Sequence, residues 1–187
     1  MNSKAILKMD CQGDNFSIIK KERDIIMSNK VEEPLLRAPE FNVNQWIDAN
    51  GNKTSPIKLS DFKGKFKVVY CFQSWCPGCH SQGFPDLKKM VEALDGNENI
   101  AFLAIQTVFE GHEANTYDKM VETQKQYELK IPFGHDAGND GKSRSNVMTN
   151  YKTGGTPWFI LIDRHDNVVF ADFRLNADAA IDFLKTL

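Results

Sequence analysis

Two cysteines with two residues between them, Cys76 and Cys79, are the residues of this chain best suited to carry out chemistry. They come directly after the apolar run 66–72 and before a segment, from about 84 to 94, whose apolar spacing predicts a helix. Two thiols at this spacing on the first turn of a helix can close a disulfide with little backbone movement. The helix N-terminus also favours ionisation of the first thiol. The arrangement therefore predicts reversible thiol–disulfide exchange.

The segments around this pair alternate between strand-like and helix-like patterns. They predict an α/β fold with a mixed central β-sheet flanked by helices. The turn signal Asn50-Gly51 predicts an N-terminal hairpin ahead of the central strand. The other predicted elements are strands at 57–59, 100–105, 132–133, 156–162 and 168–171, a helix that begins at Asn115 or Thr116 and runs through Tyr127, a short helix at 143–151 and a last helix at 177–187.

The composition is that of a one-domain globular protein, with 187 residues, 41% of them hydrophobic and 26% charged, and a net charge of −2. We expect a domain at 34–187 after an N-terminal extension at 1–33. That extension is either disordered or a wrongly chosen start, with translation beginning at Met27 instead of Met1. The chain has no long basic run, which argues against nucleic-acid binding. It also has no apolar run near the ~20 residues that cross a bilayer.

The N-terminus and the use of cysteine favour a cytoplasmic protein. The apolar run 5–7 is too short for the core of a secretory signal. In a reducing compartment a framework of structural disulfides is not expected, so Cys76 and Cys79 are better explained as a catalytic pair. Cys71, inside the predicted central strand, is expected to be a buried small apolar residue. Cys11 is expected to be an inert free thiol.

The sequence Trp-Cys-Pro-Gly-Cys at 75–79, followed by Phe84-Pro85, resembles the active-site segment of thioredoxin-fold proteins. The nearest branch is the redoxins, which include the TlpA-like thiol–disulfide oxidoreductases and the relatives of alkyl hydroperoxide reductase. This resemblance covers most of the chain after residue 37. Further segments that fit the same branch are 38–41, 59–65 and 154–163.

The resemblance implies a thioredoxin-like fold and places further residues at the site. A cis peptide bond between Thr156 and Pro157 would lie beside the cysteines, where the Thr156 backbone could pair with an extended substrate. Trp75, Pro77 and Gly78 would support the active site. Trp75 could be a plain core aromatic, but directly before a redox pair we expect it to form an apolar contact surface for partners.

Two positions depart from the pattern of this branch. Many relatives carry a carboxylate or an amide six residues before the first cysteine, where this chain has Tyr70. TlpA-like relatives often carry a glutamate three residues after the second cysteine, where this chain has Gln82. Neither side chain accepts a proton at neutral pH as a carboxylate does. The route by which Cys79 loses its proton is therefore open among Tyr70, Gln82, His80 and water.

The cysteine motif followed by His80 also matches the attachment signature of c-type haem. Covalent haem belongs to exported proteins, and we find no export signal in the sequence, so no haem or other cofactor is expected. A zinc site is not expected either. One Cys-x-x-Cys supplies two ligands, and the remaining histidines show no paired spacing.

Thiol-dependent peroxidase activity is the main competing hypothesis. Peroxiredoxins carry a threonine or serine three residues before the reactive cysteine and a proline before that, where this chain has Gln73 and Val69. They also need an arginine near the thiolate, for which Arg144 is a vague candidate. A redox-inactive binding or sensor module, which would use the same surface without chemistry, is the alternative from another class.

The sequence therefore predicts a thiol–disulfide oxidoreductase in which Cys76 attacks and Cys79 resolves. Its substrates would be disulfides or thiols of proteins or small molecules, and an unidentified thiol reductant would recycle the pair. Such chemistry could serve as an antioxidant activity. The direction of electron flow and the oligomeric state stay open at this point.

Overall fold

The computed structural model describes residues 36–187. The predicted extension at 1–33, the start of the domain near residue 34 and Cys11 lie outside these residues. The helices and strands, in chain order, are β1 (Leu36–Arg37), β2 (Gln45–Ile47), β3 (Lys53–Thr54), β4 (Phe66–Phe72), α1 (Phe84–Ala93), β5 (Ile100–Thr107), α2 (Tyr117–Tyr127), β6 (Phe133–Asp136), α3 (Asn146–Tyr151), β7 (Trp158–Ile162), β8 (Asn167–Asp172) and α4 (Ala177–Leu184).

The strands form one open mixed sheet in the order β1-β8-β7-β4-β5-β6-β2-β3. β4, β5 and β6 are parallel, and every other neighbouring pair is antiparallel. β4 lies in the middle, and all seven of its residues are buried. A strand covered on both faces reads as a nearly continuous apolar run, which explains the sequence at 66–72, where Lys67 is the one charged residue.

The two faces of β4 contribute to two separate parts of the core. Val68, Tyr70 and Phe72 face the cluster that includes α1, α2 and α4. Val69 and Cys71 face the other cluster, which includes α3. Because successive side chains of a strand point to opposite faces, the central strand anchors both layers of helices. The predicted mixed sheet with flanking helices is confirmed.

The predicted hairpin is also present, since β2 and β3 pair across the turn that contains Asn50-Gly51. The predicted strand at 57–59 is wrong, because Leu59 begins a 3₁₀ turn, Leu59–Phe62. The Asp61 carboxylate accepts the backbone N–H of Lys58 at 2.8 Å, and the Glu40 carboxylate accepts that of Leu59 at 2.9 Å. Side chains, and not a neighbouring strand, therefore satisfy these backbone groups.

Capping residues account for where the later helices begin. Thr116, one of the two predicted caps of α2, accepts the N–H of Lys119 at 3.3 Å. Ser145 accepts the N–H of Met148 at 3.2 Å, so α3 begins at Asn146 and is shorter than predicted. Within residues 36–187, no helix combines the length and the apolar character that crossing a bilayer needs.

Candidate active site

Cys76 lies at the point where the chain enters the helix after β4. Its carbonyl accepts the N–H of Cys79 at 3.1 Å and that of His80 at 3.3 Å, so the helical turns begin directly after Cys76. The Cys76 sulfur accepts the N–H of Cys79 at 3.2 Å and lies 3.6 Å from the carbonyl oxygen of Thr156, to which it donates when it is protonated. The side chain is half-buried. Cys76 therefore combines access from solvent with hydrogen bonds from the protein.

These surroundings lower the pKa of Cys76 to about 6. The largest contribution is the hydrogen bond from the Cys79 thiol. Desolvation acts in the opposite direction, and the Thr156 side chain and the N–H groups of Cys79 and Gly78 lower the pKa further. Hydrogen bonds to the charged form favour that form, so Cys76 is the thiolate of the pair at neutral pH.

Cys79 has the opposite character. It is fully buried, and burial raises its pKa above the ordinary value, with the hydrogen bond to Cys76 and the charge of Cys76 raising it further. Both cysteines are free thiols in this structure. The pair therefore consists of one accessible thiolate and one buried thiol. Cys71 is fully buried as predicted, and burial raises its pKa as well.

Tyr70 and His80, two of the predicted proton-transfer residues, are both engaged in hydrogen bonds. The Tyr70 hydroxyl donates to the carbonyl oxygen of Cys79 at 3.2 Å. His80 Nε2 lies 2.7 Å from the carbonyl oxygen of Ser74, so this nitrogen carries the proton, and Nδ1 then accepts from the Tyr127 hydroxyl at 2.7 Å. His80 therefore ties the helix to the loop before Cys76. Its role in proton transfer stays a prediction.

The third of these residues, Gln82, is exposed, and its amide donates to the Asp86 carboxylate at 3.0 Å. The hydrogen bond joins Gln82 to a residue one turn further along the helix surface. Proton transfer by Gln82 stays a prediction that this hydrogen bond does not favour.

Residues 73–76, here called the active-site loop, are held by the connection between β5 and α2. The side-chain oxygen of Asn115 accepts the Ser74 N–H at 2.7 Å, while its NH₂ group donates to the carbonyl oxygens of Glu110 and Gly111. The amide of Gln73 donates to the Glu110 carbonyl at 3.0 Å. Sequence reasoning treated Asn115 as a possible helix cap and missed this role, because Ser74, its partner in the active-site loop, is 41 residues away in the chain.

Trp75 is half exposed, at 50%, so the hypothesis of a plain core aromatic is wrong. Its indole N–H donates to the side-chain oxygen of Gln73 at 3.2 Å. One edge of the ring lies against Gly111, where a Cβ would come within 3.1 Å of it and where φ is +57°. A glycine is therefore needed at this contact, and Trp75 is fixed in orientation although it is exposed. Contact with partners stays a prediction.

The opposite side of Cys76 is formed by Thr156 and Pro157, which are joined by a cis peptide bond, as the resemblance implied. A Cβ on Gly78 would lie 3.3 Å from Pro157 Cδ, so the small residue at 78 allows the two segments to approach closely. Pro77 is exposed. Beyond the proline, the rings of Trp158 and Phe173 meet edge to face at 4.6 Å.

Other kinds of site find little support in the described part of the chain. No group of three or more His, Cys, Asp or Glu residues there is placed to hold a metal ion. Arg144, the candidate for a peroxidase, is exposed and is not among the groups that lower the pKa of Cys76. A shallow groove of about 330 Å³ includes Ile100, at the amino end of β5. The cysteines follow the carboxyl end of β4. Because β4 and β5 are parallel, this groove lies at the opposite end of these strands.

Comparisons with known proteins confirm the thioredoxin-like fold. The AhpC/TSA family matches residues 35–171. A crystal structure of a thioredoxin-like superfamily protein is 30% identical, with a TM-score of 0.70 over 81% of this chain and 96% of that chain. A thiol-disulfide isomerase from Corynebacterium glutamicum is 26% identical, with a TM-score of 0.68 over 82% and 95% of the two chains.

A putative thiol:disulfide interchange protein DsbE from Chlorobium tepidum is 22% identical, with a TM-score of 0.59 over 83% of this chain and 97% of that chain. At this level of identity the similarity concerns the fold alone. No curated protein matches the chain.

Proposed function

Because the chain belongs to the AhpC/TSA family, we propose that it is a thiol–disulfide oxidoreductase in which Cys76 attacks the substrate and Cys79 resolves the intermediate. The single observation that carries this proposal is the difference between the two thiols. Cys76 is accessible and its pKa is lowered to about 6, while Cys79 is buried and its pKa is raised. Such an asymmetric pair suits a two-step exchange.

In the first step the Cys76 thiolate attacks a sulfur of the substrate disulfide. A bond forms between Cys76 and that sulfur, the disulfide bond of the substrate breaks, and the other substrate sulfur leaves with the electron pair and takes up a proton. The Thr156 carbonyl, 3.6 Å from the Cys76 sulfur, lies where it can accept a backbone N–H of an extended substrate. Trp75, fixed beside the cysteine, offers an apolar surface to the same substrate.

In the second step Cys79 attacks the sulfur of Cys76. The intramolecular disulfide forms, the bond to the substrate breaks, and the protein has lost two electrons and two protons to a substrate that leaves as a dithiol. A thiol reductant must then reduce the pair again before another turnover. The reverse sequence would oxidise a substrate dithiol, and the reduction potential of the pair decides between the two directions.

The test is to trap the mixed disulfide in full-length protein with Cys11 replaced by serine. Cys79→Ser should attack the disulfide bonds of insulin and accumulate a covalent adduct with an insulin chain. Dithiothreitol should release this adduct, and Cys76→Ser should form none. Cys71→Ala is the matched control, since this buried cysteine lies outside the pair, and it should behave like the parent. Insulin reduction by dithiothreitol should be accelerated by the parent and by Cys71→Ala, and not by Cys76→Ser.

Adducts through Cys71, or turnover that persists in Cys76→Ser, would overturn the proposal. No acceleration and no adduct with any variant would favour the binding or sensor module. A reaction of Cys76 with hydrogen peroxide at the rate of dedicated peroxidases would favour the peroxidase. We expect instead the rate of an ordinary thiol of low pKa, because Gln73 occupies the position of the peroxidase hydroxyl and bonds to Trp75 and Glu110.

A further inference from the structure

Tyr70 is a fully buried tyrosine of β4 on the face of the sheet that packs against the helix carrying Cys79. Its ring centroid lies 5.0 Å from that of Phe84, 4.8 Å from that of Phe159 and 6.0 Å from that of Phe72. Close packing on these sides leaves the ring one position. The location of its hydroxyl is therefore set by the sheet and the core, independently of the active-site loop.

The hydroxyl occupies the space that a side chain at position 83 would need. A Cβ on Gly83 would lie 2.0 Å from the hydroxyl oxygen of Tyr70 and 2.7 Å from its Cζ, so glycine is the residue that fits. The backbone at Cys79–Gly83 forms a π-helical turn, in which the N–H of Phe84 donates to the carbonyl of Cys79, five residues earlier. This wider turn makes room for the hydroxyl.

The carbonyl of Cys79 therefore has two donors, the Phe84 N–H and the Tyr70 hydroxyl at 3.2 Å. One belongs to the helix and the other to the sheet. The resolving cysteine is thus tied to β4 by a single hydroxyl group. A phenylalanine would keep the packing and lose this tie.

The Tyr70 hydroxyl is a hydrogen-bond donor at neutral pH. Burial, followed by repulsion from charge on Cys79, raises the pKa of Tyr70 well above its ordinary value, so the group keeps its proton. Burial and Cys76 raise the pKa of Cys79, and the nearby Tyr70 hydroxyl acts against them. The Cys79 sulfur therefore has a neighbour that favours its charged form.

We propose that Tyr70 is a positioning residue for the resolving step, whose hydroxyl holds the π-helical turn and so fixes Cys79 against β4. This inference rests on the proposed function, since it concerns the attack of Cys79. In that step Cys79 gives up a proton, its sulfur bonds to the sulfur of Cys76, and the bond from Cys76 to the substrate breaks. The substrate sulfur takes the electron pair and a proton, and Tyr70 keeps its own.

The two steps can be timed separately with dithiobis(nitrobenzoate), which releases one coloured thionitrobenzoate when Cys76 attacks and a second when Cys79 resolves. The experiment uses the reduced full-length chain with Cys11→Ser, in a stopped-flow instrument. The first phase depends on reagent concentration, and the second does not. Tyr70→Phe is compared with Tyr151→Phe, which also removes a buried hydroxyl that donates to a backbone carbonyl, that of Pro39, on the other face of the sheet.

Tyr70→Phe should slow the second phase by about tenfold, the effect of one lost buried hydrogen bond, and leave the first phase within about twofold. Tyr151→Phe should leave both phases within about twofold. Gly83→Ala, which pushes the hydroxyl away, should also slow the second phase. In the Tyr70→Phe background it should slow that phase by less, because both changes remove the same contact.

An unchanged second phase in Tyr70→Phe overturns the inference. Equal slowing of both phases also overturns it, because Tyr70 would then support the whole site and not the resolving step. If the parent protein itself releases a single thionitrobenzoate, the proposed function fails instead. The two failures are therefore distinguishable, and Tyr70→Phe decides the question even if Gly83→Ala does not fold.

Discussion

The two ends of β4 both lead to an ionisable side chain with hydrogen-bond partners, and they differ in whether that side chain has a side open to solvent. At the amino end, Lys67 is fully buried, and its ammonium donates to the Asp166 carboxylate at 2.5 Å and to the carbonyl of Asp163 at 3.0 Å. At the carboxyl end, the chain leads to Cys76, whose side chain is half-buried and open to a reactant.

The two ends of β4 differ in whether a reactant could reach the charged group. The carboxylate of Asp163 accepts the backbone N–H groups of His165 and Asn167, each at 2.8 Å, so the turn around the Lys67 pair is closed by its own hydrogen bonds. Cys76 has hydrogen bonds that favour its charge and a free side for a substrate. A buried charge paired with its counter-charge leaves no side for a reactant. A favoured charge with an open side can react.

The largest effect should come from breaking the closed end. Asp166→Asn keeps the residue's left-handed backbone, at φ +62°, and leaves Lys67 buried without its counter-charge. We expect a loss of about 3 kcal/mol in the free energy of unfolding, at the lower end of the range for a broken buried pair because Asp166 is partly exposed. Urea unfolding measures this loss. The rate of Cys76 alkylation should stay that of the parent. A change in that rate would mean that the two ends are coupled.

The next prediction concerns pH at the open end. The pKa of Cys76 is lowered to about 6, so its alkylation by iodoacetamide should be fast above pH 6 and fall about tenfold per unit below it. In the unfolded chain the same thiol titrates near 8.5. Stability from the thiolate is therefore fully present above about pH 8.5 and lost as the pH falls towards 6. Comparing the free energy of unfolding of the reduced parent with that of Cys76→Ser, as a function of pH, isolates this contribution. A midpoint near pH 8.5 for the alkylation of Cys76 in the folded protein would contradict the prediction.

A smaller effect is expected from the support of the active-site loop. Asn115→Ala removes the acceptor of the Ser74 N–H and the donors to the carbonyls of Glu110 and Gly111. We expect a loss of about 2 kcal/mol, because buried backbone groups are left without partners. Cys76 alkylation should slow by a few fold as the loop loosens. Thr116→Ala, which removes the neighbouring helix cap, should lower stability by about 1 kcal/mol and leave alkylation unchanged.

The smallest effect should come from an ion pair of nearly the same length on the surface. Lys89 and Asp178 lie 2.6 Å apart, and both side chains are mostly exposed. Lys89→Gln should change the free energy of unfolding by less than about 0.5 kcal/mol, because water already solvates both charges. If Lys89→Gln cost as much as Asp166→Asn, burial would not be what distinguishes the Lys67 pair.

The amino-acid sequence by itself determined the central strand, the place of the two neighbouring cysteines and the order of most strands and helices. These features depend on local spacing. An apolar run interrupted only by Lys67 marks the buried β4, two residues between cysteines mark the candidate redox pair, and periodic apolar residues mark α1 and α4. The resemblance to the redoxins added the cis bond at Thr156-Pro157, which no local pattern predicts. The prediction of a strand at 57–59 was wrong because three alternating residues are a weak signal. Two carboxylates accept the backbone N–H groups there in place of a neighbouring strand.

Only the tertiary structure decided which groups surround the two thiols. The sequence marked Tyr70 as a departure from the family pattern, and the fold placed its hydroxyl against Gly83 and the carbonyl of Cys79. The fold also brought Asn115 to the active-site loop. These contacts join residues that are 9 to 41 positions apart in the chain. They arise from the way the helices pack on the sheet, which local preferences along the sequence do not encode.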